Sequence, residues 1–269
     1  MIIERKTKIM KMISFCNKKG GVGKTTLCKN VAYKLALDGA KVLLIDLDPQ
    51  ATLSVQLISK KGNNDNSIIE LVSSKNAIKH IKIKTLVQET KHKNIDIITG
   101  NEDLTNSNTI INTVFAVEQR YIIADMIYQS NQETFDSYDY VLIDYPPTIQ
   151  ELAINFLTIS DFIIIPINAG NGSYKGLIDL KNTLNYVCRL NNRDLPSIKV
   201  IFNNIKDNEN TSFIYKLLVK NDLANYLLNN IIKNSDTFIK TENELSSIWT
   251  NQHYWRQKQA YEELIKEIK

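Results

Sequence analysis

The stretch from Ser14 to Thr26, SFCNKKGGVGKTT, combines residue types and spacings suited to one task, holding a string of phosphates. The backbone of Gly20, Gly21, Val22 and Gly23 offers N–H groups that converge on phosphate oxygens. A helix beginning here adds the positive end of its dipole. Lys24 reaches the β- and γ-phosphates, the Thr25 hydroxyl is a ligand for Mg²⁺, and Thr26 completes the binding set. Two further segments carry acids. Asp46 and Asp48 stand two residues apart at the end of KVLLID-LD and precede Pro49. One such carboxylate can orient Mg²⁺-bound water while the other positions an attacking water. Asp144 closes a second apolar run, YVLID, ahead of Pro146 and Pro147. An acid there can hold Mg²⁺ through water. Thr25, Asp48 and Asp144 are therefore the candidate metal ligands. An acid beside proline also serves as a helix cap or turn residue, and that reading stays open for each acid taken alone.

The elements that must position these groups alternate between short apolar runs and longer amphipathic segments, the pattern of a parallel sheet covered by helices. Strands are expected at Met12 to Cys16, Lys41 to Asp46, Ile95 to Thr99, Tyr140 to Asp144, Phe162 to Pro166 and Lys199 to Asn203. A helix over Leu27 to Asp38 ends at Gly39, a residue suited to a left-handed cap. Lys60 to Ser67 (KKGNNDNS) reads as a polar surface loop. The segment from Ser247 to Lys269, with Trp249, Tyr254, Trp255, Tyr261, Leu264, Ile265 and Ile268, reads as a helix packing on the core. The fold class is α/β: a single domain over residues 1–269 with a mostly parallel, twisted sheet and helices on both faces.

Composition sets the outer bounds. The chain has 269 residues, 43 % hydrophobic and 23 % charged, ordinary for a soluble protein with one large core. A net charge of +4 permits an anionic partner without requiring one. Cys16, Cys28 and Cys188 are odd in number and widely spaced, so they make neither a disulfide framework nor a CxxC metal site, and a reducing cytosol is implied. No apolar stretch approaches the ~18 residues of a membrane span, and the charged first dozen residues do not form a secretory signal.

The phosphate loop departs from the ordinary pattern by placing Lys18 where a glycine is usual, followed by Lys19. A KGGxGK[TS] loop of this kind resembles the deviant Walker A box of the ParA/MinD superfamily. The Asp46–Gln50 segment is similar to its DxDPQ box, and Asp144-Tyr145-Pro146-Pro147 to its D-x-PP box. Three boxes in this order, with Ile165-Pro166 and Gly176-Leu177 further on, extend the resemblance from Met12 to the terminal helix.

The resemblance implies a P-loop ATPase that uses ATP and Mg²⁺ and forms an ATP-dependent homodimer, with Lys19 crossing to the partner's phosphates. Lys19, Lys24, Asp48 and, in support, Asp46 would be catalytic. Asn203 or Asn204 would approach the adenine ring, although a turn role suits either residue. DNA would bind without sequence readout, on a surface drawn from Arg189, Arg193, Lys199, Lys206, Lys216, Lys220, Lys233 and Lys240, with a solvated helix face as the plainer reading of these cations. A ParB-type centromere-binding protein would stimulate hydrolysis, and the protein would be cytoplasmic and nucleoid-associated. The short extension over residues 1–11, with no helix-turn-helix domain, matches the Soj-like group. Two other classes stay in view. A membrane-positioning ATPase like MinD needs a cationic amphipathic C-terminal helix, which YEELIKEIK does not supply, and no stable membrane association is expected. A redox or biosynthetic enzyme of the same fold needs cluster-binding cysteines or lacks the lysine at position 19.

Overall fold

Apolar runs such as Val42–Asp46 and Phe162–Ile167 are hydrophobic on both faces, and strands of that kind are stable only where helices cover the sheet on each side. In the computed structural model, which describes residues 10–58, 67–208 and 210–269, they do so. The strands are β1 (Lys11–Phe15), β2 (Val42–Asp46), β3 (Gln88–Glu89), β4 (Ile95–Ile98), β5 (Tyr140–Asp144), β6 (Phe162–Ile167), β7 (Ser197–Ile205) and β8 (Leu227–Lys233). They form one sheet in the order β3-β4-β2-β5-β1-β6-β7-β8. Every pairing is parallel except β3 with β4.

The helices are α1 (Lys24–Leu37), α2 (Thr52–Leu57), α3 (Ala77–His80), α4 (Ser107–Val114), α5 (Ile123–Ser130), α6 (Gln132–Asp136), α7 (Glu151–Thr158), α8 (Asn171–Leu190), α9 (Ser212–Lys220), α10 (Asp236–Asn243) and α11 (Trp255–Ile268). Strand side chains alternate between the faces, so neighbours part company. Met12, Leu43 and Ile143 join the core beneath α4, α5, α7, α8 and α9. Ile13, Leu44 and Leu142 join the core beneath α1 and α11. The α/β architecture with helices on both faces is thus as expected.

Several boundaries differ. The first helix begins at Lys24, three residues before the expected start, because the loop's last glycine leads directly into it. β3, a two-residue antiparallel edge strand, and β8, whose sequence LLNNIIK interrupts its apolar residues with two asparagines, are additions. The C-terminal segment begins with two short 3₁₀ turns, Ile248–Thr250 and Gln252–Tyr254, before α11. The polar stretch expected as a loop at Lys60 to Ser67 and the N-terminal extension lie outside the described residues, apart from Ser67, Met10 and Lys11.

Candidate nucleotide site

β1 delivers the chain into a turn running from Cys16 to Gly23. Gly23 has φ 88°, and no side chain caps the start of α1. The first N–H groups of an uncapped helix have no intrahelical partner and point where an anion can take them. A side chain at position 23 is also excluded by space, since its Cβ would lie 2.3 Å from Asn203 Nδ2. That amide donates to the Val22 carbonyl at 2.7 Å, so the end of β7 clamps the loop.

Asn17 clamps it from the other side. It donates to the Pro166 and Ser173 carbonyls at 2.8 and 3.2 Å and accepts from the Lys19 N–H at 2.9 Å. Gly176 permits this approach of α8, because a Cβ there would lie 2.2 Å from Asn17 Oδ1. Sequence reasoning misses Asn17, whose type does not stand out in a chain so rich in asparagine.

The loop's three lysines are placed differently. Lys18 Nζ donates to Thr183 Oγ1 on α8 at 2.9 Å. Lys24 is 7 % exposed, with Nζ 3.4 Å from the Lys19 carbonyl. Burial lowers its pKa, and the charge of Asp144 opposes that shift. Lys19 is exposed. Its stem lies near the start of α8, 3.6 Å from where a Cβ on Gly172 would stand.

Asp46 and Asp144 are paired in register at the carboxyl ends of β2 and β5, the side of an open α/β sheet where ligands bind. Both are fully buried. Asp144 Oδ2 accepts from Thr25 Oγ1 at 2.6 Å, while Oδ1 has no hydrogen-bond partner among the described residues. Burial holds the Asp144 pKa well above the ordinary carboxylate range, and the neighbouring Asp46 charge adds to the effect. A buried orphan oxygen beside a threonine hydroxyl is an oxygen donor set that a divalent cation satisfies, so these residues fit Mg²⁺.

Asp46 is differently engaged. It accepts from the Asp48 N–H at 3.0 Å and from the Ser54 N–H and hydroxyl at 3.0 and 2.7 Å. Burial raises its pKa to about 6 against the pull of those bonds. Ser54 Oγ in turn accepts from the Gly100 N–H at 3.0 Å, tying the end of β4 to the same acid. Asp46 therefore fastens the loop that carries Asp48, whereas Asp48 is half-buried with its Oδ1 accepting from the Gln50 N–H at 2.9 Å.

Of the two asparagines read as adenine contacts, Asn203 is buried and committed through its amide to Val22. Asn204 is exposed, in left-handed backbone at φ 59°, and accepts from Asn234 at 2.5 Å. The candidate DNA cations divide as well. Arg193 is ion-paired with Asp125, Lys233 stands 3.3 Å from Asp207, and Lys240 stands 3.9 Å from Glu244. Lys199 is half-buried, whereas Arg189, Lys206, Lys216 and Lys220 are exposed. All three cysteines are buried free thiols.

Parallel sheet order, an uncapped phosphate loop and paired acids at the strand ends define a P-loop NTPase. A family model described as an AAA domain matches residues 10–197. The sporulation initiation inhibitor protein Soj of Bacillus subtilis is 30 % identical over 185 residues, 69 % of this chain and 69 % of Soj. Apo McdA from Cyanothece superimposes with a TM-score of 0.81 at 20 % identity, covering 97 % of this chain and all of that one. A putative plasmid partition protein of Borrelia burgdorferi bound to AMPPNP gives 0.69 at 23 % identity over 96 % and 99 % of the two chains. The chain belongs to this AAA domain family and, within it, to the ParA/MinD superfamily of P-loop proteins.

Proposed function

We propose that the chain is a partition ATPase. It binds ATP in the Lys19–Thr26 loop, dimerises around two nucleotides, holds DNA without sequence readout, and releases it when a ParB-type partner stimulates hydrolysis. The observation that carries this reading is the placement of the lysines. Lys18 is tied to α8 and Lys24 is drawn inward, but Lys19 extends to solvent at the rim of the loop, where it can meet phosphates held by a second subunit. Mg²⁺, when bound, would neutralise phosphate charge. Thr25 and Asp144 would hold it, with Asp48 beside them. Asp48, on a loop fixed by Asp46, would orient the attacking water, and the exposed Asn204 amide is the one able to approach adenine. Cytoplasmic, nucleoid-associated residence follows from this function.

Positioning of a cargo other than DNA is the second reading and uses the same switch. A MinD-like attachment to membrane is disfavoured by α11. Its apolar residues Tyr261, Leu264, Ile265 and Ile268 are buried in the core and are not offered to lipid.

Light scattering with ATP tests the reading. An Asp48→Ala protein is expected to form a stable dimer. Adding Lys19→Ala is expected to abolish the dimer while leaving monomeric ATP affinity largely intact. A stable dimer in the double variant overturns the trans-acting role of Lys19.

A further inference from the structure

Thr26, the residue after the candidate metal ligand, does not direct its hydroxyl proton toward the phosphate cradle. Thr26 Oγ1 donates to Glu242 Oε1 on α10 at 2.6 Å. A carboxylate directly behind a phosphate site repels the ligand the loop exists to bind, and a hydrogen bond to it is stronger than a neutral one. The same patch of α1 holds Lys29, one turn further on, with 1 % exposure and an ammonium that has no hydrogen-bond partner among the described residues. Burial lowers the Lys29 pKa to about 8, and the acid whose charge acts against that shift is Glu242. Lys91 is the other charge acting on Lys29, and it disfavours the ammonium. A buried cation is thus left without a hydrogen bond among the described residues, while the acid whose charge favours it is engaged by Thr26, one turn back along the same face of α1.

The surrounding C-terminal chain is fastened to the same two turns of α1. Ile248 N–H donates to Asn30 Oδ1 at 3.3 Å, Trp249 Nε1 to the Asn30 carbonyl at 2.9 Å, and Tyr261 Oη to the Thr26 carbonyl at 3.4 Å. These bonds tie residues 248–261 to the turns of α1 that carry Thr26 and Asn30.

We propose that Glu242 is a positioning residue for the nucleotide phosphates, exchanging the Thr26 hydroxyl for the Lys29 ammonium when the loop fills, and so making α10 report occupancy of the site. The inference rests on the phosphate-loop reading. In this structure Thr26 donates to Glu242. With phosphates present the Thr26 proton turns to a phosphate oxygen, and the released carboxylate satisfies Lys29. No covalent bond changes and no net proton is exchanged.

A double-mutant cycle read by equilibrium binding of a fluorescent ATP analogue tests it, with hydrogen exchange over residues 236–243 as a second measurement. Glu242→Gln weakens the competing bond and is expected to tighten binding about fivefold, the difference between a charged and a neutral hydrogen-bond acceptor. Lys29→Met removes the group that receives the released carboxylate and is expected to weaken binding by a similar factor. In the double variant the Lys29→Met penalty should vanish, because a neutral amide at position 242 has no use for an ammonium. Exchange over residues 236–243 should change on adding the analogue in wild type and not in either variant.

A Glu242 that serves only as a tether gives weaker binding in Glu242→Gln, additive effects, and exchange in α10 indifferent to nucleotide. Any of these results overturns the proposal. Lys24→Ala separates this failure from failure of the underlying site: if it binds as well as wild type, the phosphate-loop reading itself is wrong. Lys29→Met replaces an unpaired buried charge by an apolar chain of similar length, so loss of fold does not confound the cycle.

Discussion

Lys24 lies at the floor of the loop, where burial and the charge of Asp144 pull its pKa in opposite directions. Lys24→Ala removes the loop's inward-facing counter-charge, so binding of a labelled ATP analogue is expected to fall by two or more powers of ten, about 3 kcal/mol for a charge-assisted contact. Unchanged affinity in an equilibrium titration would contradict the assignment. Lys29 gives a prediction in pH. Its ordinary pKa of 10.5 is lowered to about 8 by burial, so between these values the unfolded chain binds more protons than the native one, and stability rises with pH. Below about 8 the full penalty of a buried ammonium is present. Lys29→Met should therefore raise stability at pH 7 by on the order of 2–3 kcal/mol and flatten the rise between about pH 8 and 10. Chemical denaturation at several pH values checks both parts. A variant with the wild-type pH profile would show that the ammonium finds a partner in solution.

At the scale of elements, what the sequence made legible depended on pattern strength. Unbroken apolar runs ending in acid identify β2 and β5, since strands buried on both faces have that composition, but the pairing of Asp46 with Asp144 follows from the sheet order and cannot be read from either run. The two-residue β3 carries no periodicity to detect, and β8 hides its alternation behind paired leucines, asparagines and isoleucines. Local motifs also named the loop's glycines and Lys24. The clamps that hold the loop, Asn17 against β6 and α8 and Asn203 from β7, connect residues about 150 and 181 positions apart and leave no trace in local spacing. The spacing of Asp46 and Asp48 reads as a catalytic acid with a supporting one, and the three hydrogen bonds to Asp46 add a structural tie between the loop of Asp48 and α2. Ser54, which supplies two of them, lay outside the motif. The approach of α8 to the loop can be tested directly. In Gly176→Ala the added carbon would lie 2.2 Å from Asn17 Oδ1, and displacing that amide should cost about 1–3 kcal/mol of stability. Nucleotide affinity should fall with it, since Asn17 holds the Lys19 N–H. Wild-type melting and nucleotide affinity together would show that α8 does not brace the loop.

For the whole molecule, charge is the constraint. A net charge of +4 spread over 269 residues makes a weak electrostatic footprint for one subunit. Among the candidate cations, Arg193, Lys233 and Lys240 each face an acid already counted in that net charge. Lys216 and Lys220 stand exposed one turn apart on α9, and Arg189 is exposed near the end of α8. A few cations per subunit bind DNA poorly at physiological salt, because affinity falls with the logarithm of salt in proportion to the number of phosphates neutralised. Under the proposed function two subunits would double that number, so dimerisation by ATP would be the step that turns DNA affinity on. DNA association should accordingly need ATP, ignore sequence and decline steeply with salt. The double variant Lys216→Glu with Lys220→Glu should leave ATP-dependent dimerisation intact and reduce the log–log salt slope by about 4, because each of the two subunits then neutralises two phosphates fewer. Fluorescence anisotropy with unrelated duplexes across a salt series measures all of this. An unchanged slope in the variant would place the DNA surface away from α9, and equal binding by the nucleotide-free protein would remove the link between the dimer and DNA.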